Sequence, residues 1–253
     1  MDEPILYFRA SYPRPVGTKR TSSGMSSTAQ MASAAQATVD RLPRGPHSLS
    51  RAEVESHQRE RILAAMVAAA GTKGYSSTTI TDITRRARVS RDTFYERFAN
   101  KEQCFLAAYD AIVRELLDRM VAVGTSAPSY VENVRNGVRA YLSFWSERPD
   151  AARVCTVEVV AAGNEALVHS EHTLRGFARL YRTIAEQART EQPALPAIPE
   201  IVPRAIVVAT LELITDYVRE DRVGSLPAFE DDLLYLWLMG LAGHEVAAAA
   251  LAG

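Results

Sequence analysis

Hydroxyl, guanidinium and ammonium groups crowd one short stretch of the sequence, RVSRDTFYERFANKE at residues 88–102. Ser90, Arg91, Thr93, Tyr95, Arg97 and Lys101 can all donate hydrogen bonds to phosphate oxygens. A guanidinium can also pair in a fork with O6 and N7 of guanine. The chain has no glycine-rich phosphate loop and no nucleophile elbow, so no catalytic constellation is expected. The chemistry on offer is binding, not turnover.

Three aromatic rings stand among those charges. Phe94 and Phe98, four residues apart, share one face of a helix, whereas Tyr95 lies about 100° round from Phe94. Tyr95 has two readings: it covers the edge of a small core, or its hydroxyl bonds a phosphate beside the major groove. The elements that must place these residues are short. Thr79 followed by Asp82 has the capping-box pattern and predicts a helix over 80–87. Ser90 caps a helix over 91–97, and Asn100 with Gln103 opens another over 101–123. Between the first two, Ala87-Arg88-Val89-Ser90 is a turn that joins helices at a steep angle. Helices this short are marginal in water alone. Packing must therefore hold them, through Phe94, Phe98, Ile80, Ile83, Ala87 and Val89 against Ile62, Met66 and Ala69. The latter three lie on a helix predicted over 51–72, closed by Gly71 and Gly74.

The net charge of −1 hides an asymmetry: residues 1–50 carry +3, residues 51–103 carry +3, and residues 104–253 carry −7. A basic front on an acidic body suits a polyanionic partner. Cys104 and Cys155 cannot build a disulfide framework, which points to a reducing cytoplasm. The most apolar segment, 233–253, contains His244 and Glu245, so no membrane span is expected, and residues 1–50 lack the apolar run of a secretory signal. Residues 1–50, rich in Ser, Ala, Thr, Pro and Gly, read as a disordered tail. Met25 and Met31 are alternative starts, and the basic tail has DNA as one conceivable contact.

The stretch GYSSTTITDITRRARVSRDTFYERFANKE resembles the DNA-binding signature of the TetR family of bacterial transcriptional regulators, over roughly residues 58–106. The likeness rests on the Gly-aromatic pair, the Thr-Thr start, the Val-Ser turn, Thr-Phe-Tyr and Lys-Glu. It implies that Thr79 and Thr81 hold phosphate, the first aided by a helix N-terminus. It implies that Ser90, Arg91, Asp92 and Thr93 meet base edges, Arg91 foremost. Tyr95 and Lys101 would clamp phosphates, and Arg97 would reach backbone or base. Arg88 departs from the pattern where such turns often have glycine, so the backbone must accept a left-handed residue or turn differently. Asp92 departs too, since a carboxylate near phosphate must pair with Arg91 or accept from cytosine N4.

Beyond residue 103 the periodicity predicts helices near 129–147, 150–162, 165–191, 200–222 and 228–250. The last two are apolar nearly all round, which suits either two central helices of a monomer or a face shared with a second copy. The three before them mix aromatics with isolated polar groups: Tyr141, Trp145, Cys155, Glu158, His169, His172, Phe177 and Tyr181. Such a set reads as an ordinary core with polar edges or as the lining of a small-molecule site. Glu165, His169 and His172 share one helical face but match no zinc motif, and no metal or cofactor is expected.

The reading is an all-α chain in three parts: a tail at 1–50, a three-helix helix-turn-helix DNA-binding domain at 51–103, and a helical ligand-binding and dimerisation domain at 104–253. It describes a cytoplasmic regulator, taken as a repressor. Its partners would be a double-stranded DNA operator, a largely apolar small-molecule effector, and a second copy bound through residues 200–222 and 228–250. The alternative is a helical carrier or enzyme that keeps the front unit for packing alone.

Overall fold

Apolar residues recurring every third and fourth position turn most of the described residues helical, and there is no strand among them. The computed structural model describes residues 51–124 and 127–252; expectations for the tail at 1–50 lie outside them. The front unit comprises α1 (Arg51–Lys73), α2 (Ile80–Ala87) and α3 (Arg91–Tyr95). Next come α4 (Lys101–Gly124), α5 (Tyr130–Glu147) and α6 (Pro149–Arg153). A π-helical turn, Val154–Glu158, carries α6 into α7 (Val159–Ala161). The chain then runs through α8 (Asn164–Glu191), α9 (Ile201–Arg219) and a 3₁₀ turn (Val223–Phe229). It ends in α10 (Glu230–Ala242) and α11 (His244–Ala252).

Local chemistry sets most of these boundaries. Ser129 opens α5 by accepting from the Glu132 amide, and Pro149, whose missing N–H costs nothing in a first turn, opens α6. Three acids, Glu230, Asp231 and Asp232, complement the positive end of α10. The helix expected over 228–250 is in fact two, because Gly243 takes φ +91, which an α-helix cannot continue through. Gly71 does not end α1 as expected; it lies within the helix. A Cβ there would sit 2.6 Å from Asp150 Cβ, so this glycine lets α1 and α6 approach closely. Gly74 is the true stop, with φ +86 and its N–H bonded to the Ala70 carbonyl at 2.9 Å.

One continuous core runs through the molecule. At the front, Ile62, Met66, Ile83, Phe94 and Phe98 are buried together, and Ile80 and Val89 pack at their edge. Cys104, Phe105, Ile112 and Leu116 of α4 carry that core backwards to Phe144, Leu142, Val154, Leu234 and Leu238. Helix α4 therefore belongs to both halves. No helix is long and apolar enough to cross a membrane among the described residues.

Gly71→Val forces α1 away from α6, and we expect it to lower the urea midpoint by an amount equivalent to ~1–3 kcal/mol. Gly224→Ala, where a Cβ meets nothing within 4 Å, serves as the control and should leave the midpoint in place.

Candidate functional site

The two short helices of the front unit, α2 and α3, are each opened by a side-chain cap. Thr79 Oγ1 accepts from the Asp82 amide at 3.2 Å while Asp82 accepts from the Thr79 amide at 2.9 Å, closing the expected capping box. The Asp82 carboxylate also takes the Lys73 ammonium and, at 3.0 Å, the Arg85 guanidinium. These cationic and amide donors hold its carboxyl well below the usual carboxylate range, the Lys73 bond contributing most. At the turn, Arg88 does adopt the left-handed conformation, φ 54 and ψ 45. Arg61 offsets that strain by donating to the carbonyls of both Ala87 and Arg88. Ser90 Oγ then accepts from the Thr93 amide at 3.0 Å and shares a hydrogen bond with the Thr93 hydroxyl at 2.8 Å. Downstream, Asn100 accepts from the Gln103 amide at 2.8 Å.

On α3 the rings and charges separate by face. Phe94 is fully buried and meets Phe98 at 5.7 Å between centroids, and Arg59 lies over the Phe98 ring at 4.7 Å. Tyr95 turns outward and stays 45% exposed, its ring edge-on to Phe94. Arg91 reaches along the helix to the Tyr95 hydroxyl at 3.3 Å and over its ring, which holds both polar tips on one outer surface. Arg91 thus pairs with Tyr95 and not with Asp92, and Asp92 stands exposed without an ion-pair partner among the described residues. Thr79, Thr81, Ser90, Arg85 and Arg86 are exposed on the same unit.

Two side chains read as DNA contacts are already engaged inside the unit. Lys101 donates to the carbonyls of Tyr75 at 2.9 Å and Thr78 at 3.0 Å, with its ammonium 4.0 Å from the Tyr75 ring centroid. Arg97 pairs with Glu55 of α1 at 3.2 Å. Both fasten the frame on which Arg91 and Tyr95 are displayed.

Behind this unit, α4, α5, the π turn, α8, α9 and α10 enclose a cavity with about 560 Å³ of empty space, its mouth included. Tyr109, Val113, Leu116 and Met120 line it from α4, Tyr141 and Trp145 from α5, and Cys155 from the π turn. Ser170, Thr173, Leu174 and Phe177 face it from α8, Val207, Thr210 and Leu211 from α9, and Trp237 from α10. No Asp, Glu, Lys or Arg is among these residues. Burial pushes the Tyr141 hydroxyl up to about 12, against a small opposing pull from the indole of Trp145. Burial likewise pushes the Cys155 thiol up, so both wall groups stay neutral near pH 7.

Of the eight expected pocket residues, Tyr141, Trp145, Cys155 and Phe177 line the cavity. The other four do not. Tyr181 lies behind the wall, donating to the Trp237 carbonyl at 2.8 Å with its ring 5.2 Å from the indole. His169 pairs with Asp110, which raises its pKa, and stands edge-on to Tyr109. His172 is exposed on the outer face of α8, and no group of three metal-ligating side chains is gathered among the described residues. Glu158 is buried at the other end of the π turn. It accepts from the Tyr75 amide at 2.8 Å and the Arg153 guanidinium at 3.1 Å, and so ties the turn to the front unit. The α4 and α9 lining escaped the sequence reading because its small and aliphatic residues look like any helix core. Trp237 escaped it because it lies on a helix that is apolar nearly all round, where no one side stands out.

Residues 62–108 match the signature of bacterial regulatory proteins of the tetR family. Over that segment the front unit carries the TetR-family DNA-binding signature. Across 218 residues the chain is 25% identical to the HTH-type transcriptional regulator EthR of Mycolicibacterium smegmatis, covering 82% of this chain and 95% of that protein. Its TetR-family fold is also that of the fatty acid degradation regulator FadR of Bacillus halodurans, with TM-score 0.67, 19% identity, and 79% of this chain and 98% of that one covered. FadR of Bacillus subtilis, solved in complex with stearoyl-CoA, aligns with TM-score 0.65 at 20% identity over 72% of this chain and 98% of its own. The all-α arrangement with a helix-turn-helix in front and a helical body behind is the TetR-family architecture that the motif implied.

Because its folded pKa is depressed, Asp82 contributes stability above its unfolded value of about 4, and that contribution is lost as pH falls through the folded value. Asp82→Asn is therefore expected to melt earlier than wild type at pH 7, with the difference narrowing steadily below about pH 4. A difference that stays constant down to pH 2.5 in paired thermal melts would refute the linkage.

Proposed function

We propose that this TetR-family chain is a cytoplasmic homodimeric repressor that binds a palindromic operator and is released by a small, largely apolar molecule. The single observation that carries the DNA reading is the outward pairing of Arg91 and Tyr95 on a helix whose opposite face, at Phe94, is locked into the core beside Phe98. Arg91 would read a guanine edge and Tyr95 a backbone phosphate, with Thr79, Thr81, Ser90, Asp92 and Thr93 bordering them. Lys101 and Arg97 would act mainly by holding the frame.

Exposed apolar side chains on the last long helices support a second copy as partner. Ile201 and Val208 on α9 and Met239 on α10 are 67%, 41% and 43% exposed, in helices whose other sides face the core and the cavity. Two copies joined there would place two reading helices on half-sites about one DNA turn, roughly 34–36 Å, apart. The cavity, apolar and uncharged, supports the effector reading. Cys155 on its wall and Glu158 on the Tyr75 amide belong to one π turn, so a ligand that moves the wall also moves the attachment of the front unit. Release then requires that the effector bind the DNA-incompetent arrangement more tightly.

Selection of bound duplexes from a random pool, followed by sequencing, tests the reading. An inverted repeat should be enriched, and Arg91→Ala should lose ~10- to 100-fold in affinity for it, equivalent to ~1–3 kcal/mol, with relaxed preference at one base pair per half-site. Tyr95→Phe should weaken binding more evenly across sequences. No enrichment at low salt would sink the proposal.

A further inference from the structure

One donor in the cavity wall has no acceptor. Trp145 is 3% exposed, and its indole Nε1 is buried without a hydrogen-bond partner among the described residues. The hydroxyl of its neighbour Tyr141 stands beside the indole, whose N–H lowers its pKa against the larger effect of burial, but the pair does not reach the distance and angle of a formed hydrogen bond. The second indole of the wall differs: Trp237 Nε1 donates to Thr210 Oγ1 at 2.9 Å, and Thr210 donates onward to the Ile206 carbonyl. The Thr173 hydroxyl is likewise turned to the backbone, toward the His169 carbonyl. An N–H buried and unpaired is unfavourable, and such groups usually meet a partner when the site is filled.

The chemistry of the missing partner is narrow. A carboxylate would enter a wall with no Lys or Arg and lose its hydration uncompensated. A hydroxyl brings an extra proton that needs its own acceptor. A carbonyl oxygen brings two lone pairs and no proton, matching the indole N–H of Trp145 and the adjacent hydroxyl of Tyr141. We propose that the cavity selects an uncharged, mainly hydrocarbon molecule carrying a carbonyl group, such as an ester, ketone or amide, whose oxygen accepts from Trp145 Nε1. The proposal rests on the reading of this cavity as the effector site.

The chain contains two tryptophans, both on the cavity wall, so a ¹⁵N-labelled sample gives two indole signals that Trp145→Phe assigns. The full-length protein is titrated with methyl decanoate, with undecane carried in cyclodextrin, and with decanoate. The ester should bind about tenfold tighter than the alkane and shift the Trp145 indole proton downfield. In Trp145→Phe, checked for an unchanged melting profile, that preference should disappear. Equal binding of ester and alkane with an unmoved Trp145 signal overturns the carbonyl assignment while leaving the cavity as a ligand site. Decanoate binding as tightly as the ester overturns the requirement for an uncharged ligand. Failure of all three to bind overturns the effector-site reading itself, and this inference with it.

Discussion

A five-residue helix cannot hold its own shape in water, and α3 is five residues long. Everything in the front half answers that constraint. Phe94 and Phe98 are inserted among Ile62, Met66 and Ile83, which fixes the helix in rotation. The caps at Thr79, Ser90 and Asn100 fix its ends, and Arg61 stabilises the left-handed turn at Arg88. Lys101 and Arg97 are spent on carbonyls and on Glu55 to complete the frame. Only with that rigidity can two polar tips, Arg91 and Tyr95, be offered at a defined place and angle.

The rear half is joined to this frame through a buried charge. Glu158 is removed from water and compensated by one guanidinium and one backbone amide, an arrangement that is unfavourable to break by removing one side. It sits in a π turn, where an extra residue per turn displaces side chains from their α-helical positions. In this turn, Cys155 faces the cavity and Glu158 faces the front unit. Gly71 adds a second close contact nearby, where α1 rests against Asp150. The Glu158 bonds and the close approach at Gly71 thus both tie the segment that carries the cavity wall to the front unit.

Residue types and spacing alone determined a good deal. The caps, the positions of the short helices, the burial of Phe94 and Phe98 and the exposure of Tyr95 all follow from rules acting within four residues along the chain. A helix cap needs only its own first turn, and a two-faced helix needs only its own periodicity. The family signature is built of the same local parts, so the architecture was legible too.

Only the tertiary structure decided which groups share a space. Glu158 and His169 have the composition of pocket residues, yet Tyr75, 83 residues from Glu158, and Asp110, 59 residues from His169, claim them. Trp237 joined the cavity, and Lys101 was drawn onto the Tyr75 and Thr78 carbonyls, because the groups around them lie on other elements of the chain. Gly71 and Gly243 exchanged roles with expectation because a glycine marks either a close approach or a positive φ, and sequence does not distinguish them. Hydrogen bonds and cavities are made between elements, at distances in space that periodicity along one helix does not encode.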